Sequence, residues 1–176
     1  MEGCNDWKYS VLNTKNLNVN FLNNIGTTWS NMIANSKWNI SGSSSYNLTA
    51  KNMFVAEIIN ATKTYGSSDG VSKIGLVYVS DYGYAAAPSA WTTNMNSYNG
   101  SAVTSVNWMY MGLYEWTITP YSSNSNYVFS LSNDGNLGIS RANIGNGGRP
   151  VFYLKPSVSY AGGAGTQSSP ITLKLS

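Results

Sequence analysis

Carboxylates are the first candidates for chemistry in this sequence, because the chain contains no histidine. Its side-chain carboxylates are Glu2, Asp6, Glu57, Asp69, Asp81, Glu115 and Asp134. Without histidine, the Ser-His and Cys-His pairs that activate a nucleophile are excluded. Glycoside hydrolysis needs only two carboxylates that flank one bond. The sequence therefore leaves one catalytic pair open, Glu57 with Glu115.

A second interpretation gives the same carboxylates structural roles. Glu115 stands between two aromatic residues in a short strand-like segment, where it would order a loop or pair with Arg149. Asp81 and Asp134 lie in segments typical of turns, in which aspartate accepts hydrogen bonds from nearby backbone. We therefore predict no catalytic residue and no enzyme activity.

Motifs for metals and cofactors are missing from the sequence as well. Cys4 is the one cysteine, so a chain without histidine offers no zinc site. The segment "GNGG" at 145–148 precedes Arg-Pro and a strand instead of opening a helix, which excludes a phosphate-binding loop. Its glycines are predicted to let two backbones approach closely. We expect neither a metal nor a cofactor.

Composition predicts one folded domain over residues 1–176, because a chain of 176 residues can bury a substantial core. Charged residues make up 10% of the chain and aromatic residues 13%, so solubility depends on amides and hydroxyls. The net charge of +3 is scattered, which argues against a nucleic-acid partner. No apolar run approaches the ~20 residues of a membrane span, so we expect no membrane insertion of this segment.

The first half of the chain is predicted to be partly helical. Apolar residues three and four apart over residues 13–39 indicate two short amphipathic helices broken near Gly26, the second capped by Thr27 or Thr28. Residues 51–62 fit a helix or a strand, and the Gly/Ser turn that follows favours a strand. Residues 74–79 read as a buried strand that ends in a turn at 80–83.

The second half is predicted to consist of short strands and long irregular loops. The strands are expected at 115–119, 127–132, 137–140, 150–154 and 171–175. Asp134-Gly135 predicts a hairpin, because glycine adopts the positive φ of a tight turn. Helices followed by strands indicate an α+β fold. The core is predicted to contain Trp108, Trp116, Phe129, Val151 and Tyr153.

Three segments, in a fixed order, resemble a known family. They are "YEWTITP" at 114–120, "YVFSLSNDGNL" at 127–137 and "GGRPVFYL" at 147–154. The pattern is similar to that of C-type-lectin-like domains of bacterial surface and phage-associated proteins, with a Trp-Thr-x-Ser/Thr-Pro segment, an Asp-Gly hairpin and a Gly-x-Arg-Pro-Val strand. The upstream "KIGLVYVSDYGYAAAPSAW" resembles a companion segment in proteins of gut Firmicutes. The resemblance covers about residues 73–173 and implies a C-type-lectin-like α+β fold.

Many proteins that this sequence resembles bind ligands, and the resemblance implies a non-enzymatic adhesion or receptor domain of an exported bacterial or phage-related protein. Its partner would be a protein or glycan on a cell surface, and its location extracellular or at the cell surface, with the targeting or anchor segment absent from this chain. Loops rich in Tyr, Ser and Asn suit such binding. The expected ligand-binding residues are Tyr110, Tyr114, Tyr121, Ser122, Ser123, Asn124, Ser125, Asn126, Ser140, Arg141, Asn143 and Asn146.

Some members of this fold class are diversified by retroelements that mutagenise adenines, which turns AAY codons into Asn, Ser, Tyr and Gly. The segments "YSSNSNY" and "SRANIGN" fit that output, although ordinary loops share the composition. The sequence departs from calcium-dependent lectins, since it lacks their Glu-Pro-Asn and Trp-Asn-Asp segments, and from formylglycine-generating enzymes, since it lacks their paired cysteines. A carbohydrate-active enzyme and a structural pilus or capsid subunit remain the alternatives.

Overall fold

The computed structural model describes residues 4–45, 47–66 and 72–175. The carboxylates Glu2 and Asp69 lie outside these ranges. Helices dominate the first part of the chain and strands the second, which confirms the predicted α+β class. Within the described residues, no helix has the length and apolar character needed to cross a bilayer.

The amino-terminal helical region breaks at Gly26, as predicted. A 3-10 turn at Trp7–Tyr9 leads into a π-helical segment at Leu12–Phe21, then α1 at Leu22–Asn24 and α2 at Gly26–Met32. Gly26 has a φ of 80°, a conformation that glycine adopts without a steric penalty. The predicted caps Thr27 and Thr28 are wrong, because α2 begins at Gly26 and Ile25 holds the cap position.

The strand predicted at 51–62 is wrong, because this segment is helical. It forms α3 at Ala50–Phe54, which continues as a π-helix at Val55–Ile59. Thr49 caps α3 by accepting a hydrogen bond from the Asn52 amide at 3.3 Å. Its buried residues, Ala50, Met53 and Glu57, follow helical spacing. Because one of these buried positions is a glutamate, the apolar residues alone do not show the helical period in the sequence.

The strand predicted at 74–79 is shorter than expected, and the turn predicted at 80–83 is wrong. Strand β3 covers only Gly75–Leu76, and residues Val79–Tyr84 form helix α4. Two carboxylates accept hydrogen bonds at the start of α4: Asp81 from the Tyr78 amide, and Glu57 from the next two amides. Because Glu57 comes from a distant helix, local turn chemistry could not reveal this cap.

The strands of the main sheet are β4 at Glu115–Pro120, β5 at Tyr127–Leu131, β6 at Leu137–Arg141 and β7 at Gly147–Gly148. Their order across the sheet is β6-β5-β4-β7. Neighbouring strands β4, β5 and β6 are antiparallel, and β7 runs parallel to β4. The predicted hairpin between β5 and β6 is confirmed, with Gly135 at a φ of 94°.

Two-stranded sheets complete the fold. Strand β1 at Lys37–Asn39 pairs with β2 at Thr64–Gly66, and β9 at Val158–Gly162 pairs with β10 at Thr172–Leu175. Strand β3 pairs with β8 at Pro150–Val151. The strand predicted at 150–154 therefore ends early, and Leu154 forms only an isolated bridge to Ile33. The remaining helix, α5, covers Ser101–Thr104.

The core consists of two hydrophobic clusters that use alternate side chains of the main sheet. Trp116 and Ile118 of β4 belong to one cluster, and Phe129 and Leu131 of β5 belong to the other. The predicted burial of Trp116 and Phe129 is confirmed, while Val151 is only partly buried. This alternation is what the period of a strand dictates.

Two of the aromatic residues predicted in the core are on the surface. Trp108 is 79% exposed, because Asn107 turns inward there and its side-chain amide donates to the Tyr82 carbonyl at 3.0 Å. Tyr153 is 55% exposed, although its ring stacks on the buried Trp38 at a centroid distance of 5.4 Å. Both predictions were wrong because residue type indicates how much area a side chain can bury, not which way it points.

Candidate functional site

A polar cavity of about 740 Å³ lies where the amino-terminal segment meets the loop after β4. Its lining comes from residues within 4–7, 40–42, 56–63 and 120–125. Amides, hydroxyls, Asp6, Lys63 and the aromatic residues Trp7 and Tyr121 contribute to the wall. We call it the polar cavity, and its size falls in the range of about 300–1,000 Å³ typical of ligand pockets.

The loop at 121–126 is held on one side by Asn5. The Asn5 side-chain amide donates to the carbonyls of Tyr121, Asn124 and Tyr127, at 3.1, 3.3 and 2.7 Å. The Asn5 backbone amide donates to the Ser125 carbonyl at 2.6 Å. These bonds all reach backbone atoms, so they fix the course of the loop without using the side chains of residues 122–126.

The other side of the loop is held by residues 42–43. Ser43 forms a parallel bridge with Tyr121, and the Ser122 amide donates to the Ser43 carbonyl at 2.9 Å. Gly42 packs so closely that a Cβ there would lie 1.8 Å from the Pro120 carbonyl oxygen. The loop is therefore clamped between two chain segments, while the side chains of residues 122–126 are exposed at the cavity mouth.

The wall of the polar cavity is organised by Ser41 and two aromatic rings. Ser41 Oγ accepts hydrogen bonds from the amides of Thr62 and Lys63, at 2.8 and 3.0 Å, and so fixes the turn that carries Lys63. Tyr121 packs edge-to-face on Phe129 at 5.7 Å. Trp7 is largely buried, and in the described part of the chain its indole N–H has no acceptor.

Glu57 directly follows the cavity residue Ala56 in the chain and is fully buried. Its carboxylate accepts hydrogen bonds from the amides of Val79 and Ser80, at 2.9 and 3.0 Å, and from the Thr119 hydroxyl. Burial raises the pKa of Glu57 to about 7, an effect partly offset by the hydrogen bonds from Ser80 and Thr119. This carboxylate joins α4 to β4 and is fully engaged in the interior.

Glu115 is engaged in the ion pair that the sequence suggested. Arg149 approaches it with two nitrogens, Nε at 3.2 Å from Oε1 and Nη2 at 2.5 Å from Oε2. Arg149 Nη2 also donates to the Met109 carbonyl at 2.7 Å. The predicted pairing of Glu115 with Arg149 is confirmed, and it ties the start of β4 to the segment before β8.

No protein-family model matches this chain, and no curated protein or solved structure is significantly similar to it. Its function is therefore inferred from the geometry of the polar cavity and from the resemblance in its sequence. In the ranges that the structure describes, no group of three or more His, Cys, Asp or Glu side chains is placed to hold a metal ion.

The structure brings most of the predicted binding residues together at one end of β4. Tyr121, Ser122 and Ser125 line the polar cavity, and Ser123, Asn124 and Asn126 share their loop. Arg141 ends β6 beside this loop and Asn143 lies in the turn that follows, where the Ala142 amide donates to the Asn126 carbonyl at 2.9 Å. This end of β4 combines exposed amides, hydroxyls and one guanidinium group.

The other predicted residues lie elsewhere. The Tyr114 carbonyl accepts a hydrogen bond from Gly147 at 2.9 Å, which places Tyr114 and Asn146 at the beginning of β4. Tyr110 is bound through its hydroxyl to the Asn133 carbonyl at the same end. Along the strand this end is about 17 Å from Pro120, at ~3.3 Å per residue. Ser140 sits within the sheet, where its Oγ lies 2.9 Å from Ser130 Oγ.

Several cavity residues were not identified from the sequence. Asn5 and Ser41 position the loop and the opposite wall, and Asn60 and Lys63 contribute exposed polar side chains to the lining. Asn5 meets the loop across a separation of 116 to 122 residues. In a chain so rich in asparagine and serine, no local signal distinguishes these residues from ordinary loop residues.

Proposed function

We propose that this chain is a non-enzymatic ligand-binding domain of an exported bacterial or phage-related protein, acting at the cell surface, and that its ligand is a glycan bound in the polar cavity. The observation that carries the proposal is the clamped loop at 121–126. Its backbone is fixed by Asn5 and by Ser43, while the side chains of Tyr121, Ser122 and Ser125 line the cavity. A preformed rim loses little conformational entropy on binding.

The lining favours a glycan over a flat protein surface. The cavity is concave and combines the aromatic residues Trp7 and Tyr121 with amides and hydroxyls. Aromatic rings cover the apolar faces of sugars, and convergent polar groups select the hydroxyl pattern. The C-type-lectin-like fold implied by the sequence resemblance forms part of this proposal, since that fold presents loops of this kind to ligands.

The arrangement of carboxylates supports binding without hydrolysis. Glu57 bonds to Thr119, and Glu115 lies four residues earlier on β4, so the two strand positions are about 13 Å apart. Paired glycosidase carboxylates lie about 5–10 Å apart with access to the sugar. Here one is fully buried and the other is paired with Arg149.

The same loop suits sequence variation. The bonds from Asn5 and Ser43 reach only backbone atoms of the loop, so substitution at 122, 123, 125 or 126 leaves them in place. Asn124 contributes more, since its Oδ1 accepts a hydrogen bond from the Asn126 amide at 2.9 Å. We include diversification by a retroelement in the proposal. A near-repeat of the codons for residues 107–154, differing mainly at adenines and beside a reverse-transcriptase gene, would support it, and its absence from the locus would contradict it.

Two matched double variants test glycan binding. Asn60→Ala with Lys63→Ala removes exposed side chains from the cavity lining, and Asn52→Ala with Lys51→Ala makes the same changes on the exposed face of α3. After a glycan array has identified a binding oligosaccharide, titration calorimetry should show at least a tenfold loss of affinity for the first variant and none for the second. Equal affinities would overturn the assignment of the site, and an array without any binder would overturn the ligand class.

A further inference from the structure

An apolar groove of about 460 Å³ lies apart from the polar cavity, and the two share no lining residue. One wall is helical: Phe21, Ile25 and Trp29 follow one another at intervals of four residues through the end of the π-helix, α1 and α2. All three side chains line the groove although the helix breaks at Gly26, between Ile25 and Trp29. Part of the amphipathic pattern in the sequence therefore faces this open surface, while Leu17 and Ile33 belong to the core.

The opposite wall comes from the carboxyl-terminal part of the chain. Phe152 and Leu154 alternate after β8, and Leu173 projects from β10. Ile33 connects the walls, since it is almost fully buried and bridges to Leu154. The lining residues are hydrophobic, and among them only Trp29 carries a hydrogen-bonding group, its indole N–H, so the groove offers little to a sugar or a peptide.

The groove leaves large apolar side chains in contact with solvent. Trp29 is 51% exposed, and Phe152 and Leu154 are each about 40% exposed. Contiguous apolar surface of this kind, rimmed by polar groups, marks a binding site more often than a structural accident. Both walls belong to ordered elements, and the Ala34 and Lys155 amides join them through hydrogen bonds of 2.8 Å to the Tyr153 and Met32 carbonyls.

Two lysines stand at one edge of the groove. Lys73 Nζ donates to the Ser30 carbonyl at 2.7 Å, and the Lys155 amide donates to the Met32 carbonyl at 2.8 Å. Both lysines are therefore bonded to the short stretch between the lining residues Trp29 and Ile33. Burial, and then repulsion from Lys155, lowers the pKa of Lys73. Over the ranges that the structure describes, the one ion pair joins Arg149 to Glu115, and no carboxylate neutralises this edge.

We propose that the apolar groove binds a single alkyl chain that carries an anionic headgroup, such as a long-chain fatty acid. The chain lies between the helical wall and the carboxyl-terminal wall, and the headgroup meets Lys73 and Lys155. Charge complementarity selects this occupant, because a neutral or cationic amphiphile leaves the repulsion between the lysines unrelieved. The site is independent of the proposed glycan function, since it uses none of the residues of the polar cavity.

Calorimetric titration of the full chain with laurate, below its micellar concentration, tests the proposal. We expect one laurate per chain and at least tenfold weaker binding of dodecyltrimethylammonium, which has the same alkyl chain and the opposite charge. Lys73→Met with Lys155→Met should weaken laurate at least tenfold. Lys8→Met with Lys51→Met removes the same charge at exposed positions outside the groove and should change nothing.

The apolar part is tested by Trp29→Ser with Leu173→Ser, which should abolish laurate binding while circular dichroism confirms the fold. Asn60→Ala with Lys63→Ala should bind laurate normally, which separates this proposal from the glycan site. Equal binding of the two amphiphiles, or unchanged binding by the Trp29→Ser variant, would overturn the proposal. Self-association or anionic-vesicle binding that needs Trp29, without any binding of monomeric laurate, would overturn it too and identify the groove as a protein or membrane contact.

Discussion

The side-chain amide of Asn5 donates a hydrogen bond to the Tyr127 carbonyl at 2.7 Å, across a sequence separation of 122 residues. The same amide also donates to the carbonyls of Tyr121 and Asn124, two further residues of the segment that rims the polar cavity. One asparagine near the amino terminus therefore sets the shape of a loop more than a hundred residues away.

Replacing Asn5 with alanine should loosen that loop. The variant removes the side-chain donor of the Tyr121 and Tyr127 carbonyls, which keep only the longer bonds from the amides of Asn124 and Tyr121, at 3.4 and 3.2 Å. The expected loss is about 1 kcal/mol. We expect a lower melting temperature and faster proteolysis within 121–127. The control is Asn23→Ala, an exposed asparagine of α1 that should leave both unchanged. Equal proteolysis of the two variants would mean that Asn5 does not hold the loop.

Gly42 provides a second, steric test of the same clamp. A Cβ at Gly42 would lie 1.8 Å from the Pro120 oxygen, whereas a Cβ at Gly145 meets no atom within 4 Å. Gly42→Ala must therefore push residues 42–43 away from the loop, at a cost of about 1–3 kcal/mol. Gly145→Ala should be neutral. Denaturant unfolding measures both, and a neutral Gly42→Ala would show that the close approach is not required.

Strands β4, β5 and β6 of the main sheet were predictable because their signals are local, whereas β7 at Gly147–Gly148 was not predicted. The hairpin depends on Asp134-Gly135 and on the alternation of residues 127–131, all within one stretch of sequence. The loop at 121–126 was also identified, since its composition permits neither a helix nor a strand. Features of this kind need no knowledge of the rest of the fold.

The helices around Glu57 could not be predicted, because tertiary contacts decide them. A buried glutamate reads as a polar interruption in an apolar face, yet here it accepts two amides of α4 and the Thr119 hydroxyl. The same contacts convert the expected turn at 80–83 into a helix. Likewise, the backbone groups that form hydrogen bonds with the side chains of Asn5 and Ser41 come close to them only in the folded chain.

The ion pair between Arg149 and Glu115 should show strong coupling. Arg149→Met leaves a buried carboxylate with no partner and should cost about 3 kcal/mol. The double variant with Glu115→Gln should be more stable than Arg149→Met alone, because the uncompensated charge is gone. Arg149→Lys should also destabilise, since one ammonium cannot reproduce the paired contacts. Additive effects in this double-mutant cycle would contradict the coupling.

Glu57 should make stability depend on pH in an unusual direction. Burial raises its pKa from 4.5 to about 7, so the folded chain keeps a proton that the unfolded chain releases. The stabilisation from this group is complete below about pH 4.5 and is lost as the pH rises through about 7. At ~1.4 kcal/mol per pKa unit, the loss amounts to about 3 kcal/mol.

The chain has no histidine, so few other side chains titrate in this window and the effect of Glu57 can be isolated. The pKa of Asp81 is also raised by burial, and it acts in the same direction. We therefore expect urea unfolding to show a lower free energy at about pH 7.5 than at about pH 5. Glu57→Gln should remove most of that difference, and Asp81→Asn only a smaller part. A pH difference that persists unchanged in Glu57→Gln would show that another group controls it.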